Sequence, residues 1–443
     1  MPVDLVRDAA IDVLLRVFER DAYLNVSLDR TLRRKNISDR GRRFLTQLVY
    51  GTVRHKLLVD SILTPLLSQP LDKLPPAIHC ILRMGVFQSL FCNQVTFPAM
   101  VHTSVDLAKK RGNPGTARLV NAVLKRAPQS IDDVKLPDPE TERVQYLRVR
   151  YSMPRWLIRL WIEAFGDETT SELCRATDEP AATALRTNTL RTTPEALKQA
   201  LNKSGYAVTG TTSIPEELTV AEGPPPARSK RFMDGHFIIQ DPASMLPAHL
   251  LEPQAGDRVL DMCAAPGGKS THLAQLAQDQ AAVFTLDVHA GKLDRVLDNM
   301  ERLGIGLIFP VCGDGRHLPF GLVFDRVLVD APCSGLGTLR RHPELKWRSS
   351  LPDVEELAVQ QRELLRSAIQ VCENGGVIVY SVCTVTPQET DAVLDDILQT
   401  EAVTAEDGPE WMDEWKIAPG RYRTLPVPGG MDGFFLTRLR KSS

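Results

Sequence analysis

The chain has 443 residues, 43% of them hydrophobic and 24% charged, with a net charge of −2. That length exceeds one compact core and points to about two to three domains, while no stretch approaches the roughly 18 uninterrupted apolar residues of a membrane span. The opening residues, MPVDLVRDAAIDVLLRVFERD, carry charges throughout and lack the apolar centre of a secretion signal, so a cytoplasmic protein with no membrane partner is expected.

Residues 1–128 read as helices. Val6, Ala9, Ala10, Val13, Leu14 and Val17 recur at helical spacing, and a longer helix is predicted from Asp39 through Phe44, Leu48, Val49, Val53, Leu57, Leu58 and Ile62. Shorter helices are expected over 75–92, 98–111 and 115–127, each opened by a proline, which suits a first turn and breaks an interior. This segment holds 20 Lys/Arg against 10 Asp/Glu, a balance of +10 that leaves −12 for the remainder. A basic domain joined to an acidic one suggests a polyanionic partner. A solvated helical surface explains the same charge.

A linker is expected over 129–142, then a small α/β domain over 143–235 with a helix in RWLIRLWIEAFG, a strand in ATALRTNTL and a helix opened by Thr193-Pro194. From 236 to 443, strands alternate with helices, the mark of a parallel sheet. DRVLDMC, AVFTLDV, IGLIFPV, FDRVLVDAP and GGVIVYSVC are the five expected strands, and such sheets bind ligands beyond their carboxyl ends.

Four of those ends carry aspartates: Asp261, Asp287, Asp314 and Asp330. After the first comes a small-residue turn, Cys263-Ala264-Ala265-Pro266-Gly267-Gly268-Lys269, that lets a ligand approach the backbone. CAAPGGKS nearly matches a phosphate-binding loop, but Cys263 stands where that motif begins with glycine, and Pro266 offers no N–H. The aspartates would repel a triphosphate and suit S-adenosylmethionine, whose sulfonium and ammonium are cationic. Each alone also reads as a helix cap.

Eight cysteines are scattered without a CxxC pair, which argues against a zinc site, and no metal is expected. Cys80, Cys92, Cys174, Cys312 and Cys372 read as buried hydrophobes. Cys333, in the turn Asp330-Ala331-Pro332-Cys333, and Cys383, in YSVCT, follow neighbouring strands and are placed to share one crevice. A thiolate is what C5 methylation of cytosine needs, because adding to C6 makes C5 nucleophilic. A low thiol pKa is expected if Lys269 lies near. Residue order alone leaves open which thiol attacks.

DMCAAPGGKSTHL, DAPCSGLGTLRRHPELKW and YSVCT closely resemble the RNA cytosine-C5 methyltransferase family. The resemblance implies that Cys383 is the nucleophile, that Cys333 assists product release, and that Asp330 holds the base near the methyl donor. It further implies cofactor contacts from Cys263 to Lys269 and from Asp287, Asp314 and Asp330. Val382 and Thr384 depart from the family's more usual Ser-Thr-Cys-Ser and put a local hydroxyl contact in doubt. RRFLTQLVYGTVRHKLLVDSIL, ILRMGVFQSLF and ARLVNAVLKRA resemble the NusB-like helical domain. The implied fold is multidomain: an all-α NusB-like bundle, a small α/β middle domain and a Rossmann-like class I methyltransferase core. The implied partner is 16S rRNA, free or in an early assembly intermediate, met by a monomer. Candidate RNA contacts are Arg33, Arg34, Lys35, Arg42, Arg43, Lys109, Lys110 and Arg111 in the first domain, Arg186 and Asn188 in the second, and Arg340, Arg341 and His342 in the third. Trp347 suits a nucleotide contact or a core position equally. An RNA-binding protein with an inactive core is the alternative function.

Overall fold

The computed structural model describes residues 4–210 and 213–442. They form two compact units, one of residues up to Glu179 together with Leu339–Arg348, the other of Pro180–Thr338 and Ser349 onward. Among the described residues no helix is long and apolar enough to cross a membrane.

The first unit is helical. Its first helix, Leu5–Arg20, starts where the Asp4 carboxylate accepts from the backbone N–H groups of Val6 and Arg7. Prolines open Pro76–Phe91, Phe97–Arg111 and Pro114–Leu124, and Asn113 and Thr116 form a capping box on the last of these. The long helix expected from Asp39 is two, Asp39–Arg54 and Lys56–Leu63, because His55 leaves the helical region. Leu24–Arg34 is a further helix, buried only along Leu24, Ser27, Leu28 and Thr31, a stripe too narrow to stand out in so polar a segment. Two further helices, Arg143–Arg150 and Arg155–Ala176, the latter kinked at Gly166, cluster by contact with this unit.

The second unit contains two sheets. The smaller is antiparallel in the order β2-β3-β1-β4, formed by β1 (Thr183–Thr187), β2 (Ala207–Thr209), β3 (Glu217–Glu222) and β4 (Phe237–Ile239). One face packs Leu185, Leu218 and Phe237 on Leu197 and Leu201 of the helix Pro194–Lys203. Strand alternation therefore turns Arg186 to the opposite face.

The larger sheet, nine-stranded among the described residues, is built on the five expected strands, which run to one of its edges: β5 (Arg258–Met262), β6 (Ala282–Asp287), β7 (Ile308–Cys312), β8 (Phe324–Asp330) and β9 (Cys372–Val382). They run parallel in the order β7-β6-β5-β8-β9, so the chain reverses direction of growth between β5 and β8, the switch point where such sheets bind ligands. Beyond β9 lie the unforeseen antiparallel strands β10 (Val403–Ala405), β11 (Lys416–Ala418), β12 (Arg421–Thr424) and β13 (Phe434–Lys441). Leu273, Ala274, Leu293, Val296 and Leu303 cover one face, and Leu364, Leu365, Ala368, Val393 and Leu394 the other. Both faces are thus buried, which is why β5, β8 and β9 read as continuous apolar runs.

Candidate active site

The register of β8 on β9 sets Asp330 opposite Ser381. Each strand then runs on two or three residues to a thiol, and the sulfurs of Cys333 and Cys383 meet at 3.3 Å. Asp330 lies below them, accepting from Lys269 Nζ at 2.8 Å and from Ser381 Oγ at 3.2 Å. Lys269 is nearly buried, and burial works against its charge. Asp330, by charge and hydrogen bond, outweighs that and holds the ammonium above its ordinary pKa, with Cys383 adding in the same direction. The low thiol pKa expected near Lys269 is not what Cys333 shows. Its contact with the Cys383 sulfur and its burial push it well up, with the Glu389 charge adding. Cys333 is therefore a protonated thiol at neutral pH.

The turn after β5 is shaped for close approach. Cys263 and Gly267 both take positive φ, 62° and 92°, and a Cβ on Gly267 would stand 3.1 Å from the Val296 backbone. Ala264 donates its N–H to the Leu286 carbonyl on β6, and Asn299 donates to the Pro266 carbonyl, so the turn is held from both sides. Gly268 and Lys269 then begin the helix Gly268–Leu276. Asp261, fully buried beneath, accepts from Ser270 Oγ, and its Oδ1 has no hydrogen-bond partner. Burial raises its pKa to about 7. Asp287, buried at the end of β6, uses one carboxylate oxygen to accept from the His289 N–H. Asp314 lies further out in a forked ion pair with Arg316, which holds its carboxyl at about 2.

Several sequence-based assignments need correction. Arg186 is 1% exposed and donates to Gln240, to the Gly268 carbonyl and to Thr271 Oγ1, so it braces the cofactor turn and is closed to RNA. Asn188 is equally buried, donating to the carbonyls of Gly235 and Leu303. The segment Leu339–Arg348 belongs to the helical unit, although its neighbours on both sides belong to the other. There Arg340 is buried with its carbonyl bonded to Arg54, Glu344 Oε1 accepts from the Leu24 N–H, and Lys346 donates to the Tyr151 carbonyl. Trp347 donates to the Val53 carbonyl and carries Lys56 over its ring, which settles it as a packing residue. Arg341 and His342, in the same segment, are half-buried.

Of the basic residues in the first unit, Arg42 donates to the carbonyls of Leu32 and Ile37 and is structural. Lys35, Lys110 and Arg111 pair with Asp8 and Asp12 on the first helix. Arg33 and Lys109 form exposed pairs with Asp29 and Asp106, while Arg34 and Arg43 are exposed. Cys312 is exposed, contrary to its expected burial.

One cluster was not foreseen. Glu216 Oε1 stands 2.8 Å from His249 Nε2 and 2.6 Å from His272 Nε2. Ligand atoms around a tetrahedral zinc stand about 3.3 Å apart, so these distances describe one carboxylate shared by two imidazoles. Burial, reinforced by the Arg186 charge, depresses the His272 pKa to about 3, and burial depresses His55 in the helical unit to about 4. In both cases the unfolded chain takes up a proton that the folded chain refuses. That stability is complete above the unfolded value, about 6.5, and is lost as pH falls below it. Going from pH 7 to pH 5 is expected to cost about 2 kcal/mol per histidine. A His272→Gln variant should show a flatter dependence. Because Asp261, raised to about 7, gains stability over the same interval, the comparison is with the variant, and a loss from pH 7 to pH 5 in His272→Gln equal to the parent's would refute this.

A parallel sheet with this reversal, a glycine turn after its first strand and acidic ends on the strands beside it defines a class I S-adenosylmethionine-dependent methyltransferase. The buried, unpartnered Asp261 oxygen and the backbone exposed by the turn fit that cofactor. Residues 248–440 match the 16S rRNA methyltransferase RsmB/F model, 5–129 the NusB family, and 153–225 the RsmF/B-like ferredoxin-like domain. The chain is 36% identical to the ribosomal RNA small subunit methyltransferase B of Thermus thermophilus, over 98% of this chain and 97% of that one. It is 33% identical to the protein of that name from Pseudomonas syringae pv. tomato, over 98% and 96%. The chain belongs to the ribosomal RNA small subunit methyltransferase B family. Among solved structures, PH0851 superposes with a TM-score of 0.83 at 27% identity, covering 98% of this chain and 99% of that one. NSun6 from Pyrococcus horikoshii, solved with SFG, gives 0.60 at 25% identity, covering 66% and 98%.

Proposed function

We propose that the protein methylates C5 of a cytosine in 16S rRNA through a covalent bond between Cys383 and C6. The observation that carries this reading is the 3.3 Å contact of Cys333 and Cys383 beside the Lys269–Asp330 pair. The backbone from Cys263 to Lys269 with Asp287 would hold S-adenosylmethionine, with Asp314 at the outer edge. When bound, it supplies an electrophilic methyl group.

Asp330 uses two of about four acceptor sites on its carboxylate, for Lys269 and Ser381. The others suit the amino edge of a cytosine. Cys383 as the thiolate adds to C6 and leaves C5 nucleophilic. After C5 is methylated, the C6–S bond must break and the C5 proton must leave. The Cys333 proton passes across the short contact to the departing Cys383 sulfur, and the Cys333 thiolate so formed takes the C5 proton. The double bond is restored and both thiols end protonated. The 3.3 Å contact between the two sulfurs supports giving it this part. A flipped or unpaired base is required, since the sulfur must approach C6 above the ring plane. Arg34 and Arg43, both exposed, are suited to phosphate contacts.

Tritium from labelled S-adenosylmethionine is expected to enter unmodified 16S rRNA, and bisulfite sequencing should place it on cytosine. RNA binding with no transfer would sink this reading and favour a binding module with an inactive core.

A further inference from the structure

Behind the thiols lies a buried carboxylate that the mechanism above does not use. Glu389 has no solvent exposure and sits at the end of the turn Pro387–Glu389, six residues beyond Cys383. Its Oε1 accepts from the Ser334 N–H at 2.7 Å and from Gln361 Nε2 at 3.1 Å. Its Oε2 accepts from the hydroxyls of Ser334 at 2.5 Å, Thr386 at 2.7 Å and Thr384 at 3.2 Å. Ser334 follows Cys333 and Thr384 follows Cys383, so the residue after each thiol is bonded to the same side chain. The two hydroxyls also meet each other at 3.0 Å. Gln361 ties in the other flank by donating to the Pro332 carbonyl, and Tyr380 fixes Gln361 and the Glu389 carbonyl from β9.

We infer that Glu389 is a positioning residue whose carboxylate joins the Cys333 loop to the Cys383 loop and sets the distance between the two sulfurs. The arrangement has a physical reason. Both thiols lie on irregular backbone past the ends of their strands, where beyond the ladder one backbone bond, from the Gly337 N–H to the Cys383 carbonyl, links the two loops and leaves the Cys333 side to be held by side chains. A carboxylate accepts at both oxygens, so one side chain can collect donors from two loops, and charge-assisted hydrogen bonds are the stronger kind. No neutral side chain of that size offers as many acceptor sites. An amide in its place would turn one end into a donor facing the donors of Ser334 or Thr386.

This inference rests on the two thiols being the reacting groups, but its test separates the two claims. Diamide removes two electrons and two protons from a thiol pair, forming the S–S bond and becoming the hydrazine. Its rate of closing Cys333 to Cys383, followed by peptide mapping after alkylation of the intact chain, reads their spacing without any methyl transfer. In Glu389→Gln, closure is expected to slow about tenfold or more, and kcat to fall about a hundredfold with KM for RNA little changed, the scale of a misplacement near 1 Å. S-adenosylmethionine binding should persist, and Glu389→Asp should recover part of both rates. Wild-type closure and wild-type kcat in Glu389→Gln would overturn the inference. If that variant does not fold, Ser334→Ala and Thr386→Val each remove one tie, and wild-type rates in both would overturn it equally. If the parent protein transfers no methyl group, the proposed function falls, and the closure rates still decide the role of Glu389.

Discussion

Replacing Cys383 with alanine is expected to abolish methyl transfer, lowering turnover by about 10^4-fold or more, the scale on which loss of a covalent nucleophile falls. The same variant should form no adduct with RNA carrying 5-fluorocytosine, because no sulfur is left to add to C6. Cys333→Ala should behave differently. It keeps the attacking thiol and removes the proton donor 3.3 Å away, so the C6–S bond should form and then fail to break. Ordinary RNA should then remain attached to the protein through denaturing electrophoresis, where the parent enzyme shows none. Neither change is expected to unfold the chain, since both thiols are only partly buried and each lies past the end of its strand. The two outcomes are opposite in sign for the adduct, and that makes the pair decisive. Adduct formation lost in Cys333→Ala and kept in Cys383→Ala would exchange the roles.

The same residues show what a sequence can carry. The five parallel strands were legible because a sheet buried on both faces writes each strand as an unbroken apolar run, and the acidic residue ending several of them marked the ligand edge. Adjacency of Cys333 and Cys383 followed from strand order, and the register of Asp330 on Ser381 makes it a contact. The doubt raised by Thr384 is resolved by its hydroxyl, which meets Ser334 and Glu389. Arg340 to Trp347 misled because a polar stretch directly after a thiol motif looks like a substrate loop. Arg340, Glu344 and Lys346 are buried in the helical unit and Arg341 and His342 half-buried, a placement set by contacts up to 320 positions apart in sequence. Glu389 was missed although a signal existed: two threonines, Thr384 and Thr386, precede it within five residues and suit one shared acceptor. Strands β10 to β12 were missed because three or four residues are too few for period two to be read, and β13 because its buried run FFLTRL shows no alternation and is broken by Thr437 and Arg438.

Arg186 yields the second large effect, and it separates a brace from an RNA contact. Its guanidinium is buried against Gln240, Gly268 and Thr271, the last at 2.9 Å. Burial lowers its pKa to about 9, still cationic at neutral pH. Arg186→Met removes the donor from the buried Gln240 and Thr271 oxygens and leaves the Gly268 carbonyl with the Thr271 hydroxyl alone. Breaking a buried charged contact of this kind costs about 3–5 kcal/mol, which for a domain of this size lowers the melting temperature by about 10 °C. Lysine should not rescue it, since a single ammonium cannot reproduce the planar fork. The Gly268 carbonyl lies in the turn assigned to S-adenosylmethionine, so part of the loss should appear there, each 1.4 kcal/mol weakening affinity about tenfold. RNA affinity should keep its salt dependence, whereas an arginine bound to phosphate would take about one unit from the slope. A stable variant with normal S-adenosylmethionine affinity and a reduced salt slope would return Arg186 to the RNA surface. The expected pattern is the reverse, because the strand that presents Leu185 to one core necessarily presents Arg186 to the cofactor turn behind it.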